Sequence, residues 1–217
     1  ESLDLYLCNQ DGTVNKRKLG ANALLGISIA FAKSHSSRVF QTIGLQYRHK
    51  PTQLPLPCFN LINGGKHAGT ALQIQEYHLN PTGAKTYSQA VQIGSEVYQE
   101  LKKILKKTYG GQATNVGDEG GFAPPMKKYT EPFDMILKAA DECGYAKKIS
   151  LGIDAAASEF YTNGRYTLEK KKLTCGKLLD IWSDTLDHYP LKNIEDPFHE
   201  EAYEDFAELK YIAGKRS

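Results

Sequence analysis

The sequence predicts an α/β protein whose strands and helices alternate as in a TIM-like α/β barrel. Residues 149–153 and 191–194 have the pattern of short strands, and each is followed directly by an acid, Asp154 or Glu195. A helical segment between the two strands returns the chain, so the strands should be parallel and the acids should share one edge. An open doubly wound sheet is the alternative, although the sequence lacks a Gly-x-Gly-x-x-Gly motif.

Composition limits the classes of partner and compartment. The chain has 217 residues, 41% of them hydrophobic, and a formal net charge of +2, so it can build a substantial core and has no overall field that favours nucleic acid or anionic membrane. No stretch approaches the roughly 20 apolar residues of a membrane span. Four scattered cysteines without a Cys-x-x-Cys pair argue against a zinc site and a disulfide framework. We therefore expect a cytoplasmic protein with reduced thiols.

The first part of the chain has the pattern of a separate piece. Residues 22–33 are apolar on nearly all sides and predict a buried helix. The polar stretch 47–53, followed by Pro55 and Pro57, is typical of a linker. We therefore place a domain boundary between residues 1–53 and residues 54–217.

The remaining elements follow from periodicity and turn signals. The sequence predicts strands at 57–62 and 73–79, helices at 86–109, 133–143 and 178–186, and a hairpin turn at Asn163-Gly164. The sequence also predicts a capping box formed by Thr86 and Gln89 at the start of the first of these helices.

Residues 115–125 place two adjacent acids, Asp118 and Glu119, among three glycines and two prolines. No regular helix or strand should persist there, and a carboxyl held on such a loop can have its pKa set by its surroundings. A solvated acidic turn is the alternative, because glycine and aspartate are ordinary turn residues.

Asp154 and Glu195 are the strongest candidates for a metal site. Two carboxylates at the ends of successive parallel strands would converge, and hard oxygen ligands suit Mg²⁺. Helix capping by Asp154 and simple solvation of Glu195 are the alternatives. Pro197 should keep Asp196 extended and so hold Glu195 at the end of its strand.

Three other features are weaker candidates. His67 lies in a glycine-bracketed loop, where a histidine is more often merely exposed than functional. Glu76 lies on an alternating strand, where it is either solvated or, if it points inward, functional. The basic run 170–172 has the pattern of a solvated face, and we assign it no function.

Several motifs occur in order along the chain and together resemble the enolase family. They are Leu-Gly-Ala-Asn-Ala at 19–23, Asn-Gly-Gly-Lys-His-Ala-Gly at 63–69, Gln-Glu at 75–76, Pro-Thr-Gly-Ala at 81–84, Gly-Asp-Glu-Gly-Gly at 117–121, Asp-Ala-Ala-Ala-Ser-Glu-Phe at 154–160 and Ile-Glu-Asp-Pro at 194–197. The resemblance runs from about residue 3 to about residue 209. It implies the end of a small α+β N-terminal domain followed by the first half of the enolase barrel.

The resemblance also implies an activity and residue roles. The activity is the Mg²⁺-dependent, reversible dehydration of 2-phosphoglycerate to phosphoenolpyruvate in glycolysis and gluconeogenesis. Glu119 would be the general acid, with a raised pKa, and Glu76 would assist it. His67 and Glu76 would contact substrate, and Asp154 and Glu195 would be two of three Mg²⁺ ligands. The third ligand and the lysine base would lie on later strands than this sequence contains.

The resemblance leaves the nature of the chain open. We expect part of a working enolase, which as a family is usually a homodimer. The alternatives are a truncated, inactive enolase-like protein that serves as a binding or structural module, and another member of the superfamily that acts on a different carboxylate substrate.

Overall fold

The computed structural model describes residues 2–35, 38–65 and 71–215. It divides the chain into two compact units, Glu1–Leu54 and Pro55–Ser217. The assignment of these units to two domains of a larger protein stays a prediction.

The first unit is helical. Its described helices are α1 (Ser2–Asp11), α2 (Ala21–His35) and α3 (Val39–Gln46). The buried Asp11 side chain links the end of α1 to the start of the next segment, because it accepts hydrogen bonds from the amides of Thr13 (3.0 Å) and Leu19 (2.7 Å). In the described ranges of the whole chain, no helix is both long enough and apolar enough to cross a membrane.

The prediction that residues 22–33 form a buried helix was correct about the helix and wrong about its burial. Within α2 only Leu24 is buried, and large apolar side chains such as Leu25 (59% exposed) and Phe31 (50% exposed) face outward. The physical reason is the small number of neighbours, since the helices that pack against α2 in the described part of this unit are α1 and α3.

The second unit alternates strands with helices, as predicted. Its strands are β1 (Phe59–Asn63), β2 (Glu76–Asn80), β3 (Ser150–Asp154), β4 (Tyr161–Thr162), β5 (Arg165–Leu168), β6 (Lys171–Leu173) and β7 (Leu191–Glu195). Its α-helices are α4 (Tyr87–Tyr109), α5 (Glu131–Glu142), α6 (Cys175–His188) and α7 (Tyr203–Gly214), and short 3-10 turns cover Gly111–Thr114, Ala146–Lys148 and Ala157–Phe160.

The main sheet has the strand order β1-β2-β3-β7. β3 and β7 are parallel, which confirms the prediction made for the strands that end on Asp154 and Glu195. β2 is antiparallel to both of its neighbours, so it runs against the other three strands. A separate three-stranded sheet, β4-β5-β6, lies between β3 and α6 in the chain.

The reversed direction of β2 follows from the helices that come after it. The end of α4 lies beside the start of α5, where the Tyr109 hydroxyl donates to Glu131 (3.2 Å), and the Tyr145 hydroxyl just after α5 donates back to Glu96 on α4 (2.5 Å). α4 and α5 are therefore antiparallel and return the chain to the end of the sheet that it left, so β3 must run opposite to β2.

The sequence predicted that the second strand begins at residue 73, whereas in the structure β2 begins at Glu76. The residues before it bond instead to the loop after β1, because the Gly64 amide donates to the Gln75 carbonyl (2.9 Å) and the Gly65 amide donates to the Leu72 carbonyl (2.8 Å). The first position of the strand therefore falls on a carboxylate.

The core lies between the outer face of the main sheet and the helices. α4 buries Ala90, Ile93, Val97, Leu101 and Leu105, the set that helical spacing predicted. On the sheet side, Tyr77 of β2 packs edge-on against Phe133 of α5, with ring centroids 5.2 Å apart. Residues that alternate with Tyr77 along β2 are thus left on the opposite, inner face.

Two local predictions can be compared with the structure directly. Thr86 caps α4 by accepting from the Gln89 amide (3.1 Å), but the Gln89 side chain accepts from Lys85 rather than from Thr86, so the capping box is shifted by one residue. The predicted hairpin turn is confirmed, since Asn163 and Gly164 have φ of 50° and 76° and join β4 to β5 as a two-residue turn with both φ positive.

Candidate active site

Four polar residues form one row across the end of the main sheet. Asn63 pairs with Glu76, Glu76 with Asp154, and Asp154 with Glu195. Directly opposed residues on neighbouring strands project to the same face with Cβ atoms about 5 Å apart. The backbone register alone therefore brings Glu76, Asp154 and Glu195 together. We call these three acids, together with Asn63, the carboxylate row.

The row lies at the edge where active sites of α/β barrels gather. Asn63, Asp154 and Glu195 are the last residues of β1, β3 and β7, whereas Glu76 is the first residue of the reversed strand β2. This edge is thus the carboxyl end of three parallel strands, as the sequence predicted for the two strands that end on acids.

Glu119 is tied to the carboxylate row through Asn63. The Asn63 Nδ2 donates to Glu119 Oε2 at 2.8 Å, and the Gln75 Nε2 donates to Glu119 Oε1 at 3.3 Å. The loop acid and the strand-end acids therefore belong to one cluster. Sequence reasoning missed Asn63 and Gln75 as site residues. The available signal was their position beside strand ends, Asn63 before a glycine pair and Gln75 before Glu76.

The loop that carries Glu119 is held against β1 by backbone bonds. The Phe122 amide donates to the Leu61 carbonyl (2.9 Å), and the Asn63 amide donates to the Phe122 carbonyl (2.8 Å). Residues 115–125 form isolated bridges and turns, which confirms that no regular element persists there. The loop is irregular but anchored, so it can hold Glu119 at one place.

α4 supports the same loop from outside. Tyr98 stacks on Phe122, with ring centroids 4.3 Å apart and an interplanar angle of 24°. Its hydroxyl also donates to the Gly120 carbonyl at 3.0 Å. The residue that follows Glu119 is thus fixed to a long helix. Nothing in the sequence distinguishes Tyr98 as functional, because it is part of an ordinary amphipathic pattern.

Glycine is required where the loop passes Asn63. A Cβ on Gly121 would lie 2.3 Å from Asn63 Oδ1 and 2.9 Å from Asn60 Oδ1. Both distances are shorter than real Cβ contacts allow. Gly121 therefore lets the loop approach β1 closely enough for Asn63 to reach Glu119.

Asp154 is half-buried and has several acidic neighbours. Burial, together with the negative charges of Glu195, Asp196 and Glu76, raises the pKa of its carboxyl to about 6, although the hydrogen bond that Oδ1 accepts from the Ala156 amide (2.9 Å) acts in the opposite direction. Like charges at this spacing disfavour ionisation, whereas a bound cation would reverse the effect.

The chain leaves both acidic strand ends in a left-handed conformation. Ala156 has φ of 45° and Asp196 has φ of 43°, both uncommon for residues other than glycine. The prediction that Pro197 keeps Asp196 extended is therefore wrong. The proline disfavours the right-handed helical region, and the left-handed alternative allows the Asp196 carbonyl to accept from the Ala157 amide at 3.0 Å.

Glu195 nevertheless ends its strand, as expected. The residues beyond it are held by a side chain of α6, since the buried Trp182 indole donates to the Pro197 carbonyl at 2.9 Å. A second bond, from the Ala155 amide to the Glu195 carbonyl (2.9 Å), ties the exits of β3 and β7 together. The backbone thus fixes the separation of the two carboxylates.

Two predictions about the site remain open. His67 lies outside the described residues. The raised pKa expected for Glu119 stays a prediction, and the residue is exposed in the structure. Among the described residues no cluster of three or more His, Cys, Asp or Glu side chains is arranged to hold a metal ion.

The donor set still fits Mg²⁺. Asp154 and Glu195 are register partners, both offer carboxylate oxygens, and the pKa of Asp154 is raised in part by its acidic neighbours. Mg²⁺ is usually bound by one or two protein carboxylates together with water and substrate oxygens, so two carboxylates match the usual protein contribution to such a site.

Comparison with known proteins identifies the fold. The family model described as "Enolase, C-terminal TIM barrel domain" matches residues 51–216. The chain is 45% identical over 211 residues to the enolase of Methanothrix thermoacetophila, covering 95% of this chain and 50% of that protein. It is 46% identical over 209 residues to the enolase of Methanocaldococcus jannaschii (94% and 49%) and 43% identical over 222 residues to that of Thermococcus gammatolerans (98% and 51%). The chain spans about half the length of these curated relatives.

Proposed function

The chain belongs to the enolase family and contains part of its TIM barrel, and on that premise we propose that the protein carrying it converts 2-phosphoglycerate to phosphoenolpyruvate reversibly with Mg²⁺. The observation that carries the proposal is the carboxylate row, in which strand register places Glu76, Asp154 and Glu195 side by side while Asn63 links them to Glu119.

Asp154 and Glu195 would hold the Mg²⁺ ion. When bound, the ion supplies positive charge that stabilises the extra negative charge created when the weakly acidic proton beside the substrate carboxylate is removed. The backbone bond between the exits of β3 and β7 keeps the two ligands at a fixed separation, so little ordering is needed on binding.

Glu119 would donate a proton to the 3-hydroxyl of the substrate, which then leaves as water. In the structure Asn63 donates to one of its oxygens and Gln75 donates to the other, so the two bonds hold the carboxyl in place.

Glu76 would assist at the same hydroxyl. It is the neighbour of both Asn63 and Asp154 in the row, so it lies between the proposed acid and the proposed metal ligands. A hydroxyl held between Glu76 and Glu119 would have one partner that orients it and one that protonates it.

We also propose that His67 contacts the substrate and that the protein acts in glycolysis and gluconeogenesis as a cytoplasmic homodimer.

The test is an assay of the full-length protein that carries this sequence. We expect Mg²⁺-dependent formation of phosphoenolpyruvate from 2-phosphoglycerate, followed by ultraviolet absorbance. Absence of turnover in the full-length protein would favour the alternative of an inactive binding or structural module. Turnover of another hydroxycarboxylate in preference to 2-phosphoglycerate would favour a different member of the superfamily.

A further inference from the structure

A chain of polar side chains lies behind Glu76 on the inner face of the sheet. His78 is 6% exposed and its Nε2 lies 2.7 Å from Glu76 Oε2. The Nδ2 of Asn193 lies 3.5 Å from the other ring nitrogen, Nδ1 of His78, and the Asn80 Nδ2 donates to Asn193 Oδ1 at 2.7 Å. Four side chains from two strands thus form one connected series.

The backbone leaves room for this series. Glu76, His78 and Asn80 alternate along β2 and so share a face, and His78 is the register partner of Gly152, which in turn pairs with Asn193. A Cβ on Gly152 would lie 2.2 Å from Asn193 Oδ1. Barrel interiors are usually filled by branched aliphatic side chains, and polar groups there are costly unless they are bonded.

All the bonds can point in one direction, towards Glu76. A carboxylate can only accept, so His78 Nε2 must carry the hydrogen in this contact. In the neutral ring Nδ1 then has a lone pair and accepts from the Asn193 amide, whose carbonyl oxygen accepts from Asn80. The neutral tautomer protonated at Nε2 therefore matches the contacts with Glu76 and with Asn193, while Asn80 Oδ1 at the far end of the series has no hydrogen-bond partner among the described residues.

We propose that His78 is a positioning residue for Glu76. It holds the Oε2 oxygen of the Glu76 carboxylate through its Nε2 hydrogen, with Asn193 and Asn80 fixing the ring, and leaves Oε1 for the substrate hydroxyl. This role rests on the proposed function of Glu76. Donors that form a connected chain polarise one another, so the series holds the carboxylate more firmly than a single isolated bond would.

The first measurement tests the hydrogen-bond pattern without any assay of activity. Nitrogen-15 NMR of the full-length protein labelled at histidine distinguishes the two neutral tautomers, and His78→Gln identifies the His78 signals. We expect the tautomer protonated at Nε2, with its signals shifted in Glu76→Gln. A ring protonated at Nδ1 alone, or signals unchanged in Glu76→Gln, would overturn the proposal.

The second measurement tests positioning. Glutamine can place an amide donor near the position of His78 Nε2, whereas phenylalanine fills the space without a donor. We expect His78→Phe to lower kcat on the order of tenfold, with a much smaller change in KM, and His78→Gln to recover most of it. His188→Phe, on the exposed side of α6, is the matched control and should behave as the parent protein.

The outcomes separate this proposal from the proposed function. If the parent protein converts 2-phosphoglycerate but His78→Phe retains full kcat, only the role of His78 fails. If the parent protein has no turnover, the proposed function fails, and the tautomer measurement still decides whether His78 holds Glu76. If His78→Phe does not fold, His78→Gln and Asn193→Leu are compared instead. An Asn193→Leu protein with unchanged kcat and unchanged His78 NMR signals would contradict the proposal that Asn193 fixes the His78 ring.

Discussion

Asp154 and Glu195 are register partners at the ends of two parallel strands, and the amide that follows Asp154 donates to the carbonyl of Glu195. Their proximity is therefore imposed by the backbone and does not depend on any attraction between the side chains, which repel each other when ionised. This repulsion contributes to the raised pKa of Asp154. A divalent cation between the two carboxylates would relieve it, so the unfavourable arrangement has a direct chemical use.

The first prediction concerns metal affinity. Replacing Asp154 by asparagine removes one negative ligand while keeping its shape, so we expect Mg²⁺ affinity in the full-length protein to fall by at least about tenfold. Calorimetric titration with Mg²⁺ measures this. Asp180→Asn, at an exposed position of α6, is the control and should leave the affinity unchanged. An unaltered Mg²⁺ dependence in Asp154→Asn would remove Asp154 from the ligand set.

The second prediction concerns stability and pH in the absence of Mg²⁺. The folded pKa of Asp154 is about 6 and its ordinary value is 3.8, so the folded state binds this proton more tightly than the unfolded state. The stabilisation that comes from the proton is present at low pH and is lost as pH rises through about 6. The asparagine side chain of the Asp154→Asn variant cannot titrate, so the difference in unfolding free energy between the two proteins isolates this effect.

Between about pH 4 and about pH 7, we expect the free energy of unfolding of the parent protein to fall by about 1 kcal/mol relative to that of Asp154→Asn. This value is smaller than the full pKa shift would give, because the carboxyl is only half-buried. Urea unfolding in a Mg²⁺-free buffer at several pH values measures the difference. A difference that is constant over this range, or one of opposite sign, would contradict the prediction. Added Mg²⁺ should reverse the trend, since the cation binds the ionised carboxyl.

The parts of this site that the sequence could predict are those that depend on residues close together in the chain. Strand-end acids, hairpin glycines and helical periodicity are local signals, and they predicted Asp154, Glu195 and the parallel pairing of their strands. The link from Asn63 to Glu119 joins residues 56 positions apart and depends on the approach of a loop to β1, which no local pattern encodes. The same is true of the reversed strand β2, whose direction is set by how α4 and α5 pack.

Two local predictions failed for physical reasons. The apolar surface of α2 predicted burial, but burial requires neighbours, and the described part of the first unit provides too few of them. The rule for residues before proline predicted an extended Asp196, but a hydrogen bond from the Ala157 amide to its carbonyl favours the left-handed conformation instead. In both cases tertiary contacts decided the outcome.

The third prediction concerns the proton donor. Glu119→Gln keeps one acceptor oxygen for the bond from Asn63 or from Gln75 but cannot donate a carboxyl proton, so we expect dehydration of 2-phosphoglycerate to fall by about 10²- to 10⁴-fold. Exchange of the substrate α-proton with deuterated solvent should be largely spared, because that step uses a different group. Asp118→Asn, the adjacent exposed acid, is the matched control and should change both rates little. Equal loss of both steps in Glu119→Gln would oppose the assigned role.

The fourth prediction concerns the packing that delivers Glu119 to the row. A methyl group at Gly121 would collide with Asn63 Oδ1, the side chain whose Nδ2 bonds Glu119. Either Asn63 turns away or the loop moves off β1, and both changes loosen the proposed acid. We therefore expect Gly121→Ala to destabilise the protein by about 1–3 kcal/mol and to lower kcat for dehydration.

Gly111→Ala provides the control for this substitution, because a Cβ at Gly111 meets open space and the residue follows α4, away from the contact with Asn63. We expect its stability to stay within about 0.5 kcal/mol of the parent protein. Asn63→Ala separates crowding from the lost hydrogen bond, since it removes the side chain that the new methyl group would strike. In the Asn63→Ala background, we therefore expect Gly121→Ala to cost little stability, and only as much as the remaining contact with Asn60 explains. If the stability losses of the two single variants are fully additive in the double variant, the collision with Asn63 is not the cause.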